Sequence, residues 1–295
     1  MHTTAKTSTG GYPIGLRLTG TMADRPVAEI ATWATESGLG CVDLPVSLLG
    51  SVSQWQEMGL PVGTLDLFGR EWSGMLSADA AKRRATVAQA EQVIRTAAAA
   101  GVKIIFVVML AEDVQLPRKE TFGYMVETYG ALRAVLQSTG IRVAIEGWPG
   151  CNAHCCTPES YRAFLREMNS PQFGINFDPS HLLRMGIDPL RFIKEFAPQV
   201  VHVHGKDTSI DAERLYNHGT EQAGFLTEPQ PWGGWFWRYT IPGRGQAPWS
   251  ALLAELKAAR YQGYVSVELE DLDFNGTLEG EKRGFIAARD FLKSV

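Results

Sequence analysis

The sequence predicts an α/β fold, a single closed (β/α)8 barrel with a long loop after its seventh strand. Three observations predict it. Short β-branched or apolar runs alternate with longer stretches of helical spacing. There are eight such pairs in 295 residues, and alternating βα units imply a parallel sheet that closes at eight. No low-complexity linker or heavily charged run divides the chain, so one catalytic-sized domain is expected over 12–295. The Thr/Gly-rich stretch 1–11 reads as a flexible N-terminal tail.

Taken in order, the expected strands are Ile14–Leu18, Cys41–Leu44, Val62–Leu67, Ile104–Met109, Val143–Glu146, Phe173–Phe177, Val200–His204 and Tyr264–Glu268. The helices that follow them are Val27–Ser37, Leu48–Met58, Ala78–Ala100, Thr121–Ser138, Pro158–Met168, Pro189–Glu195, Trp249–Arg260 and Gly280–Phe291. Local punctuation agrees. Thr157-Pro158-Glu159-Ser160 reads as an N-cap with proline in the first helical turn, and Asp188-Pro189 repeats the device. Gly101, Gly140 and Gly263 stand just past helical stretches, where a left-handed residue is wanted. The segment Asp207 to Pro248 is far longer than the ~2–6 residues usual between a strand and its helix. It carries the run Pro231-Trp232-Gly233-Gly234-Trp235-Phe236-Trp237 and falls on the C-terminal face of the barrel, where active sites of this architecture lie.

Charge and composition exclude several classes of function. Lys+Arg is 28 and Asp+Glu is 32, a net charge of −4, which argues against a general nucleic-acid binder. The longest apolar run, Ile104 to Ala111, is too short to span a bilayer, which takes ~20 residues. Met1 to Gly11 has no apolar core of the kind a signal peptide needs, and four cysteines make no disulfide framework in a chain of this size. A cytoplasmic enzyme is expected.

Polar residues crowd the ends of the last four strands. Alternation puts Ala144 and Glu146 on one face, as it does Asn176 and Asp178, His202 and His204, and Ser266, Glu268 and Glu270. If that face points inward, Glu146, Asp178, His204 and Glu268 converge, and a divalent cation is the simplest partner for so much buried polarity. Three carboxylates and an imidazole suit Mn²⁺ first, with Mg²⁺, Co²⁺ or Zn²⁺ as alternatives. Glu270 is the competing ligand on the eighth strand, since a two-residue slip keeps the face. His202, deeper on the same face as His204, reads as a core histidine with a hydrogen-bond partner. Arg17 and Asp43, near the first two strands, are further pocket candidates.

Ile145-Glu146, Asn176 through Leu182, His202-Val203-His204-Gly205-Lys206-Asp207 and Val267-Glu268-Leu269-Glu270-Asp271 together resemble the sugar phosphate isomerase/epimerase family, the xylose isomerase-like TIM barrel superfamily. Its members include ketose 3-epimerases, inosose dehydratase and an endonuclease branch. The resemblance implies Glu146, Asp178, His204 and Glu268 as metal ligands, with Glu146 and Glu268 doubling as the catalytic acid/base pair. It implies substrate contacts from His181, Lys206 and Asp207 and, more loosely, from Trp237 and Arg244 in the segment before the seventh helix. The implied reaction is isomerisation or epimerisation of a sugar or sugar derivative, by proton removal beside a carbonyl through a metal-stabilised enediolate. A lyase or dehydratase acting on a 3-oxo-glycoside, oxo-sugar or inosose would use the same site. The endonuclease branch is opposed by the charge and by the histidines: the six stand at 2, 154, 181, 202, 204 and 218, so none falls on the early strands where that branch places extra ligands.

Four alternatives remain open. Lys206 and Asp207 also read as a solvated ion pair, and His181 as a locally bonded helix-start residue. The Trp232–Trp237 run reads equally as a sugar-stacking wall or as a loop anchor. Cys151, Cys155 and Cys156 with His154 read as a loop without a zinc site, because no second pair follows at a suitable spacing. A small-molecule carbohydrate partner is expected, with no nucleic acid and no membrane, and a homo-oligomer is allowed.

Overall fold

The computed structural model describes residues 7–67 and 70–295. Eight parallel strands close on themselves: Tyr12–Arg17, Val42–Pro45, Val62–Leu67, Ile104–Val108, Arg142–Glu146, Phe173–Phe177, Val200–Gly205 and Val265–Val267. The first strand pairs with the second, and the last pairs with the first in the register Val265↔Ile14 and Val267↔Leu16. Each expected strand is present within two residues. Buried side chains run almost continuously along them, as a sheet covered on both faces requires. The core lies between strands and helices, where Ile30, Ile94, Leu136, Phe164, Leu252 and Phe285 are fully buried.

The helices follow the expected order, with two divisions. The stretch expected over Thr121–Ser138 is two helices, Arg118–Ala131 and Arg133–Thr139, which meet at a tightened turn where the Leu132 N–H donates to the Tyr129 carbonyl. The stretch Leu48–Met58 is a 3₁₀ helix, Val46–Ser51, running into Val52–Glu57. Thr157 and Ser160 form a reciprocal cap at Pro158–Met168, and Asp188 accepts from the Leu190 and Arg191 N–H groups. Gly101 and Gly140 are left-handed as expected. Gly263 is not: Arg260 takes that conformation at its helix end, while a Cβ on Gly263 would meet the Tyr261 hydroxyl.

The flexible tail expected over 1–11 is corrected in part. Residues 1–6 lie outside the described residues. Ser8–Thr9 pairs antiparallel with Tyr12–Pro13 across the two-residue turn Gly10-Gly11, both with positive φ as a tight hairpin demands. Thr9 is buried, and the Thr7 backbone and hydroxyl both bond the Gly38 carbonyl.

The long loop is a folded insert. Asp207–Ile210 and Trp237–Thr240 form an antiparallel hairpin that carries the helix Ala212–His218 between its arms. No residue of that helix is buried.

Candidate active site

The strand ends position the side chains. Glu146 ends the fifth strand, His204 lies near the end of the seventh, and Glu268 directly follows the eighth. Asp178 caps the short helix Pro179–Arg184, its Oδ1 accepting from the Ser180 N–H at 2.8 Å, so that Oδ2 is left facing inward. All four are buried, and one ligand atom from each lies within 4.8 Å of the others. His204 Nδ1 is 3.1 Å from Glu268 Oε2 and 3.6 Å from Glu146 Oε1. Its Nε2 is 4.0 Å from Asp43 Oδ2. Neither ring nitrogen of His204, nor Asp178 Oδ2, makes a well-directed hydrogen bond. Buried polar atoms are rarely left so; His204 Nδ1 and Asp178 Oδ2 face the cluster with Glu146 and Glu268, while His204 Nε2 faces a second metal-capable group with Asp43 and His202.

Around this cluster five carboxylates, those of Glu146, Asp178, Glu268, Glu270 and Asp66, meet two permanent cations, Arg17 and Lys206. Arg17 donates to Asp66 at 2.6 Å and to Glu268 at 3.1 Å. Lys206, almost wholly buried, reaches Asp178 at 3.2 Å, Glu270 at 3.1 Å and Glu268. Burial works against every one of these charges, yet the neighbours decide the outcome. Burial would keep His204 neutral, but Glu268 and Glu146 lift its pKa well above the ordinary histidine range. Burial opposes the Glu268 charge, but Lys206, His204 and Arg17 hold it well below the usual carboxylate range. For Asp178 burial prevails over Lys206 and His181, and its pKa is raised. A field that charges a fully buried imidazole is short of positive charge, and the O₃N donor set suits a divalent cation. The residues therefore fit the expected metal.

His181 joins the cluster: Nε2 is 2.8 Å from Glu146 Oε1 and Nδ1 is 2.7 Å from the Tyr239 hydroxyl. The second Glu146 oxygen accepts from the Asn176 amide. Lys206 is no surface ion pair. His202 donates through Nε2 to Asp43 Oδ2 at 2.8 Å, in keeping with a partnered core histidine, and Asp43 also accepts from the Thr64 N–H. Glu268, not Glu270, belongs to the metal-capable group.

Two expected substrate contacts lie elsewhere. Asp207 turns away from Lys206 and accepts four hydrogen bonds: from Thr208 N and Ala247 N on Oδ1, and from Gly243 N and the Trp249 indole on Oδ2. It is an anchor of the insert. Arg244, half-exposed, pairs with Asp273 at 3.0 Å and lies over the Phe274 ring. Trp237 sits one side chain out from the centre, its ring 4.9 Å from that of Tyr239 and 4.4 Å from the Arg184 guanidinium carbon. Tyr239 and Arg184, absent from the sequence-based site, are brought in by the insert and by the turn of helix following His181. No cysteine belongs to a metal-capable group among the described residues, and Cys151, Cys155 and Cys156 form no disulfide.

Two cavities flank the centre. One of about 350 Å³ opens at Arg17, Thr19, Trp232, Glu268 and Glu270. Another of about 850 Å³ lies between the insert and the Pro179–Arg184 segment, lined by Arg184, Ile187, Leu215, Phe236 and Trp237. Trp232 and Trp237 thus face space, while Trp235 packs near His218.

Fold and site together define a parallel barrel with a metal-capable acidic centre at its C-terminal mouth. The chain belongs to the xylose isomerase-like TIM barrel family, whose model matches residues 24–295. An inosose dehydratase of Clostridium perfringens is 31% identical over 94 residues, 32% of this chain and 29% of that protein. The chain aligns with about a third of the length of the curated relatives it matches. Among solved structures, the 3-keto-D-glucoside 4-epimerase YcjR of E. coli superposes with a TM-score of 0.68 at 19% identity, covering 96% of this chain and 99% of that one. An IOLI protein holding a zinc atom superposes at 0.66 with 18% identity, covering 95% of each chain. At these identities the superpositions speak for the fold.

Proposed function

We propose that the protein is a divalent-metal-dependent isomerase or epimerase of a sugar or sugar derivative. The observation that carries this reading is the convergence of Glu146, Asp178, His204 and Glu268, with orphaned ligand atoms facing one point. A bound divalent ion would supply Lewis-acid polarisation of a substrate carbonyl and hydroxyl. The chain's own residues do the rest. Glu146 and Glu268, on two sides of His204, take a proton from the carbon beside the carbonyl and return one. His181 and Lys206 line the same centre and bond oxygens of the substrate. Arg17 orients Glu268 through its 3.1 Å bond. Charge that develops on the substrate is met by the buried Lys206 ammonium.

The second reading is a lyase acting on an oxo-sugar, oxo-glycoside or inosose, favoured by the matched stretch of an inosose dehydratase. It shares the proton removal and differs in expelling a β-substituent. The native ion is proposed as Mn²⁺, with Mg²⁺, Co²⁺ and Zn²⁺ tested beside it. A cytoplasmic setting is likewise a proposal; among the described residues no helix is long and apolar enough to cross a membrane.

Metal analysis of the purified protein and of Glu146→Gln tests the centre. Near-stoichiometric metal that falls in the variant supports it. No metal after reconstitution with each of the four ions refutes it. Ketoses and 3-oxo-glucosides then separate the readings: epimer formation supports the first, aglycone release the second.

A further inference from the structure

The insert reaches the centre through a line of hydrogen bonds. Arg184 Nη1 lies 2.6 Å from the Tyr239 hydroxyl, that hydroxyl 2.7 Å from His181 Nδ1, and His181 Nε2 2.8 Å from Glu146 Oε1. Arg184 is itself fixed, donating through Nη2 to the Pro149 carbonyl at 2.9 Å and stacking 4.4 Å over Trp237. A guanidinium only donates, so the Tyr239 oxygen accepts from Arg184. The Tyr239 proton then needs an acceptor, and His181 Nδ1 is the one in reach. At the other end a carboxylate accepts, so His181 Nε2 carries the hydrogen. Lys206 Nζ also comes within 3.5 Å of Nε2, but the 2.8 Å contact of Nε2 with Glu146 Oε1 is much the shorter, and Lys206 donates to Glu268 and Glu270 and lies 3.2 Å from Asp178 Oδ2. The opposite tautomer would face a lone pair toward Glu146 and leave the Tyr239 proton without an acceptor. Every donor is matched in only one direction of the line.

We infer that Tyr239 and Arg184 are positioning residues that hold His181 as its Nε2–H tautomer, with Nδ1 capped, so that His181 faces the centre as a hydrogen-bond donor and not as a base. The role of donor to a developing oxyanion, with proton removal left to the two glutamates, follows for any reaction run at this centre. The inference rests on the hydrogen-bond line and not on the proposed reaction, so the two can fail separately. It also gives the insert a place in the active site, because Tyr239 comes from the hairpin strand Trp237–Thr240.

The test is imidazole ¹⁵N NMR of the metal-free, uniformly labelled full chain, whose six histidines are assigned by single substitution. The expected wild-type pattern for His181 is a protonated Nε2 and an unprotonated, hydrogen-bonded Nδ1. Tyr239→Phe keeps the ring, which packs edge-on to His181 at 5.3 Å, and removes the hydroxyl. It is expected to shift the Nδ1 resonance toward that of an unbonded nitrogen and to leave the signals of His154 and His218 in place. Arg184→Met is expected to move Nδ1 in the same sense by less. It carries the test if Tyr239→Phe does not fold. A wild-type His181 protonated on Nδ1, or an Nδ1 resonance unmoved in the folded variants, overturns the inference.

Discussion

Replacing Asp207 with alanine tests whether this residue anchors the insert or contacts substrate. Its Oδ1 accepts at 2.8 Å from Thr208 N and at 2.9 Å from Ala247 N, and its Oδ2 at 3.3 Å from Gly243 N and 3.2 Å from the Trp249 indole. Truncation strands all four donors. The Thr208 N–H and the Trp249 indole are in buried surroundings and cost about 1–3 kcal/mol each when unpaired; the other two are nearer solvent and cost less. Against this, burial raises the Asp207 pKa in spite of the four bonds, so the charge itself is not a source of stability and its removal gives something back. The balance is a loss of about 2–4 kcal/mol. Urea unfolding followed by far-UV circular dichroism reads that loss, and hydrogen exchange localises it to residues 240–249. Metal affinity of the folded variant is expected to stay that of the wild type, since no Asp207 oxygen faces the metal-capable group. A loss under about 1 kcal/mol would show that water replaces the carboxylate and would refute the anchoring argument. A large loss of metal affinity with unchanged stability would refute the placement.

Further outcomes follow from the same contacts. Gly245→Ala, whose Cβ would lie 2.1 Å from Asp207 Oδ1, is expected to weaken the same anchor and to reproduce the exchange pattern over 240–249. Gly15→Ala forces a Cβ to 2.2 Å from Cys41 Sγ inside the barrel and is expected to cost about 1–3 kcal/mol in urea melts. Burial, with Arg118 beside it, pushes the His154 pKa down to about 4. Between that value and the unfolded ~6.5 only the unfolded chain takes the proton, so this contribution is complete above ~6.5 and is lost as pH falls toward 4. Allowing for solvent screening, His154→Asn should therefore narrow its stability gap from wild type by about 1–2 kcal/mol between pH 7 and pH 4.5; a gap that does not change with pH contradicts this.

The eight strands were legible because a sheet buried on both faces writes itself as short β-branched runs, of which Val62–Leu67 and Phe173–Phe177 match to the residue. The cluster of Glu146, Asp178, His204 and Glu268 was legible because alternation fixes a face once the barrel is assumed. The same rule explains one error. Lys206 and Asp207 are adjacent, so they point to opposite sides, and only Lys206 can face the centre. Arg244 was expected only from the loose resemblance of its segment, and Asp273, nearly thirty residues on, takes its charge. Tyr239 and Arg184 could not be read. The insert has no hydrophobic period to announce its hairpin, and the link from Tyr239 to His181 is a tertiary contact across 58 residues.

The closure of the barrel sets an order on synthesis. The first strand borders the last, so until Val265–Val267 leaves the ribosome both edges of a seven-stranded sheet stand open. The four residues proposed as ligands come from the fifth strand onward, and Glu268 arrives with the closing strand itself. A nascent chain stopped before residue 265 would have exposed strand edges and an acidic centre without Glu268. Emergence of the eighth strand therefore seals the sheet and completes the centre in one event, and truncation before residue 265 is expected to yield an aggregation-prone chain, not a smaller barrel.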